Sequence, residues 1–277
     1  MKGVLEFAQA KAQGQKLVMV TAYDYPSAYF AQKAGVDLIL VGDSVGMVVL
    51  GHDSTVPVTM DDMVRHTRAV RRGAPDTFIL GDLPFWSTSS VACAVERAGR
   101  LVQEGGCHAV KLEGGRSITA HVEAIVRAGV PVCGHIGLTP QSATALGGFR
   151  VQGKTAAQAR ALLEDAQALE AAGAFMLVLE CIPTPLARVI TERLRIPTIG
   201  IGAGPHCDGQ VLVWHDLLGM YPRQTPKFVR RYADLGALAT KGIAAFADQV
   251  RHGAFPEADQ GFAMDEEELD RALTPLA

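Results

Sequence analysis

Short apolar, β-rich runs alternate with longer stretches of helical periodicity along nearly the whole chain. The first run, Lys16–Asp24 (KLVMVTAYD), leads into a helical stretch, Tyr25–Gly35, that stops at a glycine, the usual residue beyond a helix C-cap. Asp37–Asp43 (DLILVGD) predicts a second strand, and Met60–Arg72 a helix for which Thr59 and Asp61 offer capping oxygens. Strands three to seven are predicted over Thr77–Pro84, Ala109–Gly114, Pro131–Leu138, Ala174–Cys181 and Pro197–Gly204. Helices are predicted between them over Ser89–Gly105, Ser117–Gly129, Thr155–Gly173 and Thr184–Leu194. Then come a short helix over Gln210–Met220, a weak eighth strand over Lys227–Tyr232 and a last long helix over Leu235–His252.

These strands are continuous apolar runs rather than alternating ones, so both faces are covered, as in a parallel sheet with helices outside. Eight βα units predict an α/β fold, a (β/α)8 TIM barrel. A doubly wound open sheet, the competing architecture, usually has about five or six strands. No linker or shift in composition divides residues 1–253, which read as one catalytic domain. Residues 254–277, with the run DEEELD, read as a C-terminal tail with a solvated acidic face.

Composition narrows the function. Of 277 residues, 48% are apolar and 20% charged, a globular mix that excludes a disordered chain. The net charge of −3 and a pI of 6.2 argue against a general nucleic-acid binder. No apolar run approaches the ~20 residues of a membrane span. Met1–Lys16 lacks the apolar centre of a signal peptide, so a cytoplasmic location is expected. Cys93, Cys107, Cys133, Cys181 and Cys207 are odd in number and widely spaced with no CxxC, and read as apolar thiols in a reducing compartment.

Ionisable residues fall where the strands end, which in a barrel is the rim that carries the active site. They are Tyr23 and Asp24, then Asp43 followed by Ser44, then Asp82, then Lys111 and Glu113 two apart on one side of a strand, then His135, then Glu180. Singly, each has an ordinary reading: a helix cap for an Asp after a strand, a hydrogen-bonded core histidine for His135, a salt bridge to Glu113 or Asp82 for Lys111, a structural Arg or His partner for Glu180. Together they form a cluster of acids that repel one another, and a bound divalent cation relieves that repulsion. Oxygen ligands favour a hard ion, Mg²⁺ or Mn²⁺, over zinc. Asp43 and Asp82 are the natural direct ligands, with Glu113 binding directly or through water. Lys111 suits a substrate carboxylate or developing oxyanion. Glu180, a carboxylate in an apolar setting, suits a general base. The segment Gly200–Gly204 (GIGAG) lacks the last glycine of a dinucleotide fingerprint and predicts a close turn, or room for a flat ligand.

Several segments carry a resemblance. They are VGDSVGMVVLGHDSTVPVTMDDMVRHTRAVRRGAP (41–75), GDLPF (81–85), VKLEGG (110–115), PVCGHIGLTPQS (131–142), LEAAGAFMLVLECIP (169–183) and IPTIGIGAGPHCDGQVLVWHDLLG (196–219). Through them the chain, from about Gly3 to Gly253, strongly resembles the ketopantoate hydroxymethyltransferases. The resemblance implies a (β/α)8 barrel of the phosphoenolpyruvate mutase/isocitrate lyase type. It also implies an enzyme of pantothenate and coenzyme A biosynthesis that makes ketopantoate from 3-methyl-2-oxobutanoate. The implied one-carbon donor is 5,10-methylenetetrahydrofolate, the implied metal Mg²⁺, the route a Mg-stabilised enolate, and the assembly a homodecamer. By the same resemblance Asp43 and Asp82 are metal ligands that also meet the substrate, and Glu113 reaches the metal through water. Ser44 and Lys111 bind substrate, His135 supports the oxo acid, and Glu180 is the general base. Two rivals are weighed against this. A Mg²⁺-dependent lyase or mutase on the same scaffold would, if of the isocitrate type, need a loop motif such as KKCGH, which this sequence lacks. A non-catalytic barrel would have little reason to keep this acid cluster together.

Overall fold

Eight parallel strands pair in chain order and close on themselves: β1 (Leu17–Thr21), β2 (Leu38–Val41), β3 (Phe78–Asp82), β4 (Ala109–Glu113), β5 (Val132–Gly137), β6 (Met176–Glu180), β7 (Thr198–Ile201) and β8 (Gly209–Leu212). The computed structural model describes residues 1–223 and 225–274. A short helix, α1 (Val4–Ala12), precedes the barrel. Then α2 (Tyr25–Lys33) follows β1, and α3 (Val45–Val48) and α4 (Met60–Gly73) follow β2. Next, α5 (Val91–Arg100), α6 (Thr119–Arg127), α7 (Ala156–Ala171) and α8 (Thr184–Arg193) follow β3 to β6. After β8 come α9 (Trp214–Leu217), α10 (Leu235–Arg251) and α11 (Glu266–Leu273). No helix of the described residues is long and apolar enough to cross a membrane.

The two-residue period of each strand divides the core in two. Ile39, Val41, Ile79, Val110 and Leu112 face outward and pack with helix residues such as Met63, Val64 and Val70 of α4 and Ala94 and Ala98 of α5. The alternate residues Leu38, Leu40, Phe78, Leu80, Met176 and Val178 face inward and fill the barrel. Its N-terminal end is plugged by α1. The Phe7 ring meets Phe78 edge-on at 5.1 Å between centroids and stacks on Phe175 at 6.4 Å. Helix starts follow the local chemistry: Thr59 Oγ1 accepts the Asp62 N–H at 3.1 Å, and Thr155 caps α7 in the same way. Asp61 is no cap; its carboxylate pairs with Arg100 at 2.8 Å. The helix expected over Ser89–Gly105 is α-helical only to Arg100 and then makes one π-helical turn, Leu101–Gly105.

The eighth strand departs from the sequence expectation. It is Gly209–Leu212, inside the segment expected to be helical, and Lys227–Tyr232 forms no strand. The expectation supplied a helix between strands seven and eight, but the connection at 202–208 is a tight turn. Gly202 and Gly204 adopt φ of 66° and 83°, and a Cβ on Gly204 would meet Thr184 Oγ1 at 2.4 Å. Asp208 fastens the turn by accepting the Thr198 N–H at 2.8 Å and pairing with Lys11 at 2.8 Å. With β8 already hydrogen-bonded between β7 and β1, no edge is left for Lys227–Tyr232 to join. Phe228 packs over Gly202 instead. Further along, no residue of α10 is buried, although it carries Leu238, Ile243, Phe246 and Val250.

Candidate active site at the mouth of the barrel

The inward parity that buries Phe78 and Leu80 places Asp82 inward at the C-terminal end of β3. In the same way Lys111 and Glu113 follow Ala109 on β4, His135 follows Cys133 on β5, and Glu180 follows Met176 and Val178 on β6. Parallel register then sets Asp82 beside Lys111 and Glu113 beside His135. Asp43 and Ser44 sit in the turn from β2 into α3. All seven predicted site residues, Asp43, Ser44, Asp82, Lys111, Glu113, His135 and Glu180, line one cavity of about 580 Å³. Another cavity, of about 510 Å³, lies on the outer wall between Lys16–Val18 and Gly202–Gln210 and contains none of them.

Contacts within the cluster are close. The Asp43 backbone N–H donates to Asp82 Oδ2 at 3.2 Å, and Lys111 Nζ lies 3.0 Å from Asp82 Oδ1. Lys111 therefore makes the ion pair its ordinary reading called for. Its Nζ is also 3.2 Å from His135 Nδ1, while His135 Nε2 lies 3.2 Å from Glu180 Oε2 and Nδ1 lies 3.5 Å from Glu113 Oε1. The Tyr23 hydroxyl is 2.8 Å from Ser44 Oγ. At β6 the chain is positioned tightly. Glu180 C=O accepts the Leu138 N–H at 2.8 Å, and a Cβ on Gly137 (φ 98°) would fall 2.1 Å from that carbonyl. Directly after Glu180, Cys181 is held at φ 47°, a left-handed conformation costing about 1 kcal/mol or more that tends to collect at functional sites.

Burial sets the electrostatics. It pushes the Asp43 carboxyl well above the usual carboxylate range, and the Asp82 and Glu113 charges add to it against Lys111 and Gln141. Asp82 is also raised by burial, with the Lys111 ammonium opposing and Glu113 reinforcing. Burial lowers Lys111, but Asp82, Glu113 and Asp43 outweigh it and hold the ammonium charged. For His135, burial and the Lys111 charge act downward, and contacts to Glu113 and Glu180 prevail, raising it to about 9.

Three buried carboxylates thus share one lysine. Asp82 Oδ1 and Glu113 Oε1 have charge contacts but no aligned hydrogen bond. Several buried carboxylate oxygens around one cavity suit a hard cation. Among the described residues no three His, Cys, Asp or Glu side chains converge as a closed metal-binding set. Mg²⁺ does not need one, because it commonly takes one or two carboxylates and fills its octahedron with water and substrate. The residues present therefore fit Mg²⁺, with Asp43 and Asp82, joined by the Asp43 N–H to Asp82 contact, as the candidate carboxylates.

Two roles change from the sequence expectation. Asp24 leaves the cluster and caps α2, accepting the Ser27 N–H at 2.8 Å. Gln141 joins it: its Nε2 donates to Asp43 Oδ2 at 2.9 Å and its backbone N–H to Glu113 Oε2 at 3.1 Å. Gln141 lies within the PQS of a quoted motif, but an uncharged loop residue gives no electrostatic signal in sequence. Asp216 and Tyr221 also line the cavity. They follow β8, whose sequence has the pattern of a helix, so the sequence alone does not place them at the rim.

The chain is similar to several known proteins. A family model described as ketopantoate hydroxymethyltransferase matches residues 2–258. A 3-methyl-2-oxobutanoate hydroxymethyltransferase of Moorella thermoacetica is 58% identical over 253 residues, covering 91% of this chain and 94% of that protein. Another, of Carboxydothermus hydrogenoformans, is 56% identical over 269 residues, covering 97% and 98%. Among solved structures, phosphonopyruvate hydrolase in complex with oxalate and Mg²⁺ is similar with a TM-score of 0.62 at 13% identity, over 98% of this chain and 94% of its own. 2,3-Dimethylmalate lyase, a member of the phosphoenolpyruvate mutase/isocitrate lyase superfamily, is similar with a TM-score of 0.61 at 16% identity, over 99% and 92%. At these identities the solved structures speak for the fold: the barrel is of the phosphoenolpyruvate mutase/isocitrate lyase type. With the family model spanning nearly its whole length and relatives more than half identical to it, the chain belongs to the ketopantoate hydroxymethyltransferase family of enzymes.

Proposed function

We propose that this enzyme transfers a hydroxymethyl group from 5,10-methylenetetrahydrofolate to 3-methyl-2-oxobutanoate, giving ketopantoate for pantothenate and coenzyme A synthesis. The observation that carries the reading is the gathering of Asp43, Asp82, Lys111, Glu113, His135 and Glu180 around one cavity. The names of its relatives support the substrate. Asp43 and Asp82 would hold Mg²⁺, with Glu113 reaching it directly or through water. When bound, the ion supplies Lewis acidity toward the keto oxygen and the enolate that replaces it.

The chain's own groups do the rest. Lys111 and Ser44 bind and orient the oxo acid, with Lys111 offering a point charge to an anionic oxygen. Tyr23 fixes the Ser44 hydroxyl through their 2.8 Å contact. Glu180 removes the C3 proton, and its carboxylate is oriented by the His135 ring at 3.2 Å. Water adds to the one-carbon unit of the folate, and its two carbon–nitrogen bonds break as each nitrogen takes up a proton, releasing formaldehyde and tetrahydrofolate. The carbanion adds to the formaldehyde carbon, and the alkoxide so formed takes the proton held by Glu180, giving ketopantoate. Five free cysteines, three of them buried, support a reducing, cytoplasmic setting. The exposed apolar residues of α10 support self-association, for which a homodecamer is our reading.

The decisive measurement is exchange of the C3 proton in deuterated water, followed by NMR without folate. Glu180→Gln is expected to keep Mg²⁺ and oxo-acid binding and to lose exchange by about 10²–10⁴-fold. Unchanged exchange would remove Glu180 as the base. Asp82→Ala is expected to weaken Mg²⁺ binding in calorimetry, and an unaltered titration would refute its ligand role.

A further inference from the structure

The cavity is larger than the oxo acid requires. At roughly 30 Å³ per water-sized group, about 580 Å³ takes up about twenty non-hydrogen atoms, and 3-methyl-2-oxobutanoate has eight. The cavity's walls are also chemically distinct. On the side of β2 to β6 stands the acid–lysine cluster. On the side of β8 stands Asp216, in α9, for which the chemistry above has no use.

Asp216 is only 9% exposed, yet it makes no ion pair among the described residues, and its Oδ1 is buried without a hydrogen-bond partner. Among the described residues it caps no helix, and the Arg231 charge acts on it from beyond ion-pair distance. Nearby in the same segment the Tyr221 hydroxyl, beside Arg223, is likewise buried without an aligned hydrogen bond among the described residues, and both Asp216 and Tyr221 line the cavity. Tyr23 reaches toward both acidic ends: its ring lies 5.6 Å from that of His215, next to Asp216, and its hydroxyl is 2.8 Å from Ser44 Oγ, next to Asp43. A buried, unpaired acceptor costs about 1–3 kcal/mol. Here it belongs to a side chain that lines the cavity, as Val213 and Phe228 also do.

A carboxylate offers two oxygens and accepts only, so its best partner is a flat group with two adjacent N–H donors on one edge. The 2-amino-4-oxo pteridine of a folate has such an edge, formed by N3–H and the 2-amino group. We infer that Asp216 is the pteridine anchor of the one-carbon donor, accepting from N3–H and the 2-amino group, with the Tyr221 hydroxyl as a further polar contact. So held, the donor shares one cavity with an oxo acid bound at the acid–lysine cluster and Glu180. Asp216 then acts by binding and specificity, and takes no part in moving protons. This assignment rests on the folate reading proposed above.

The test is equilibrium binding of tetrahydrofolate, and of its analogue lacking the 2-amino group, to the enzyme with Mg²⁺ and oxo acid present. The native enzyme is expected to bind the analogue at least tenfold more weakly than tetrahydrofolate. Asp216→Asn is expected to bind tetrahydrofolate at least tenfold more weakly and to lose that discrimination, while its affinity for the oxo acid stays within twofold. Tyr221→Phe is expected to lose severalfold. Native affinity for tetrahydrofolate in Asp216→Asn, or an equal loss for both substrates, overturns the assignment. Should that variant fail to fold, the native enzyme still decides: equal affinity for the two pterins overturns it. A native enzyme that exchanges the C3 proton but binds no tetrahydrofolate at all overturns the folate reading, and the anchor with it.

Discussion

The two ends of this barrel are built from the same strands and do opposite things. Strand β3 runs from Phe78 to Asp82, roughly 13 Å at 3.3 Å per residue. Over that distance its inward face passes from an aromatic plug shared with Phe7 and Phe175 to a carboxylate shared with Lys111. At the N-terminal end the plug is apolar, with the His108 ring packed on Phe78 at 5.2 Å, and its contacts add stability. At the C-terminal end Asp43, Asp82 and Glu113 are buried beside one another, and their charges oppose folding unless balanced. Stability and chemistry are thus sorted along the strand axis, so substitutions at the two ends should differ in sign.

The largest effect is expected at the plug. Phe7→Ala should cost about 3–5 kcal/mol in equilibrium urea unfolding, with C3 exchange per folded molecule unchanged. A matching fall in exchange would show that the two ends are not separable. At the mouth the sign should reverse. In chelator-treated protein Asp43→Asn should gain about 1 kcal/mol, because it removes one of three like charges while an amide oxygen can still accept from Gln141. Destabilisation there would mean that the carboxylate is a structural acceptor first. The smallest effect concerns pH. Burial raises the Asp216 carboxyl, with Arg231 opposing, so the folded state binds its proton more tightly than the unfolded state. Stability from this group is therefore greatest below the unfolded value of about 4 and is lost as pH rises through the folded value. Asp216→Asn should flatten that part of the stability–pH curve by less than about 1 kcal/mol, and a curve superimposable on the native one would argue that Asp216 is fully solvated.

Where the sequence reading succeeded, the signal was local and periodic. DLILVGD and TFILGDLP are apolar to their ends and then acidic, and that pattern needs no knowledge of neighbours to place Asp43 and Asp82 at a rim. Lys111 and Glu113 lie two apart, so they share a face in any strand. The failures have a different cause. Gly209–Leu212 is too short and too polar at Gln210 to outweigh a helical pattern, and it is a strand because β7 and β1 offer it partners. Asp24 looks no different from Asp43 in sequence, since each follows a strand and precedes a helix; only the distance from the Asp24 carboxylate to the Ser27 N–H tells a cap from a cavity residue. Gln141 is recognisable only through the oxygens it meets.

The sequence by itself determined the barrel, its strand parity and the acids that this parity turns inward, because periodicity and burial act within a few residues. The tertiary structure alone decided which strand closes the ring, which carboxylates face one another across the register, and that Asp216 opens without a partner onto the same cavity. Those outcomes depend on distances between segments far apart in the chain, and spacing along the sequence does not encode such distances.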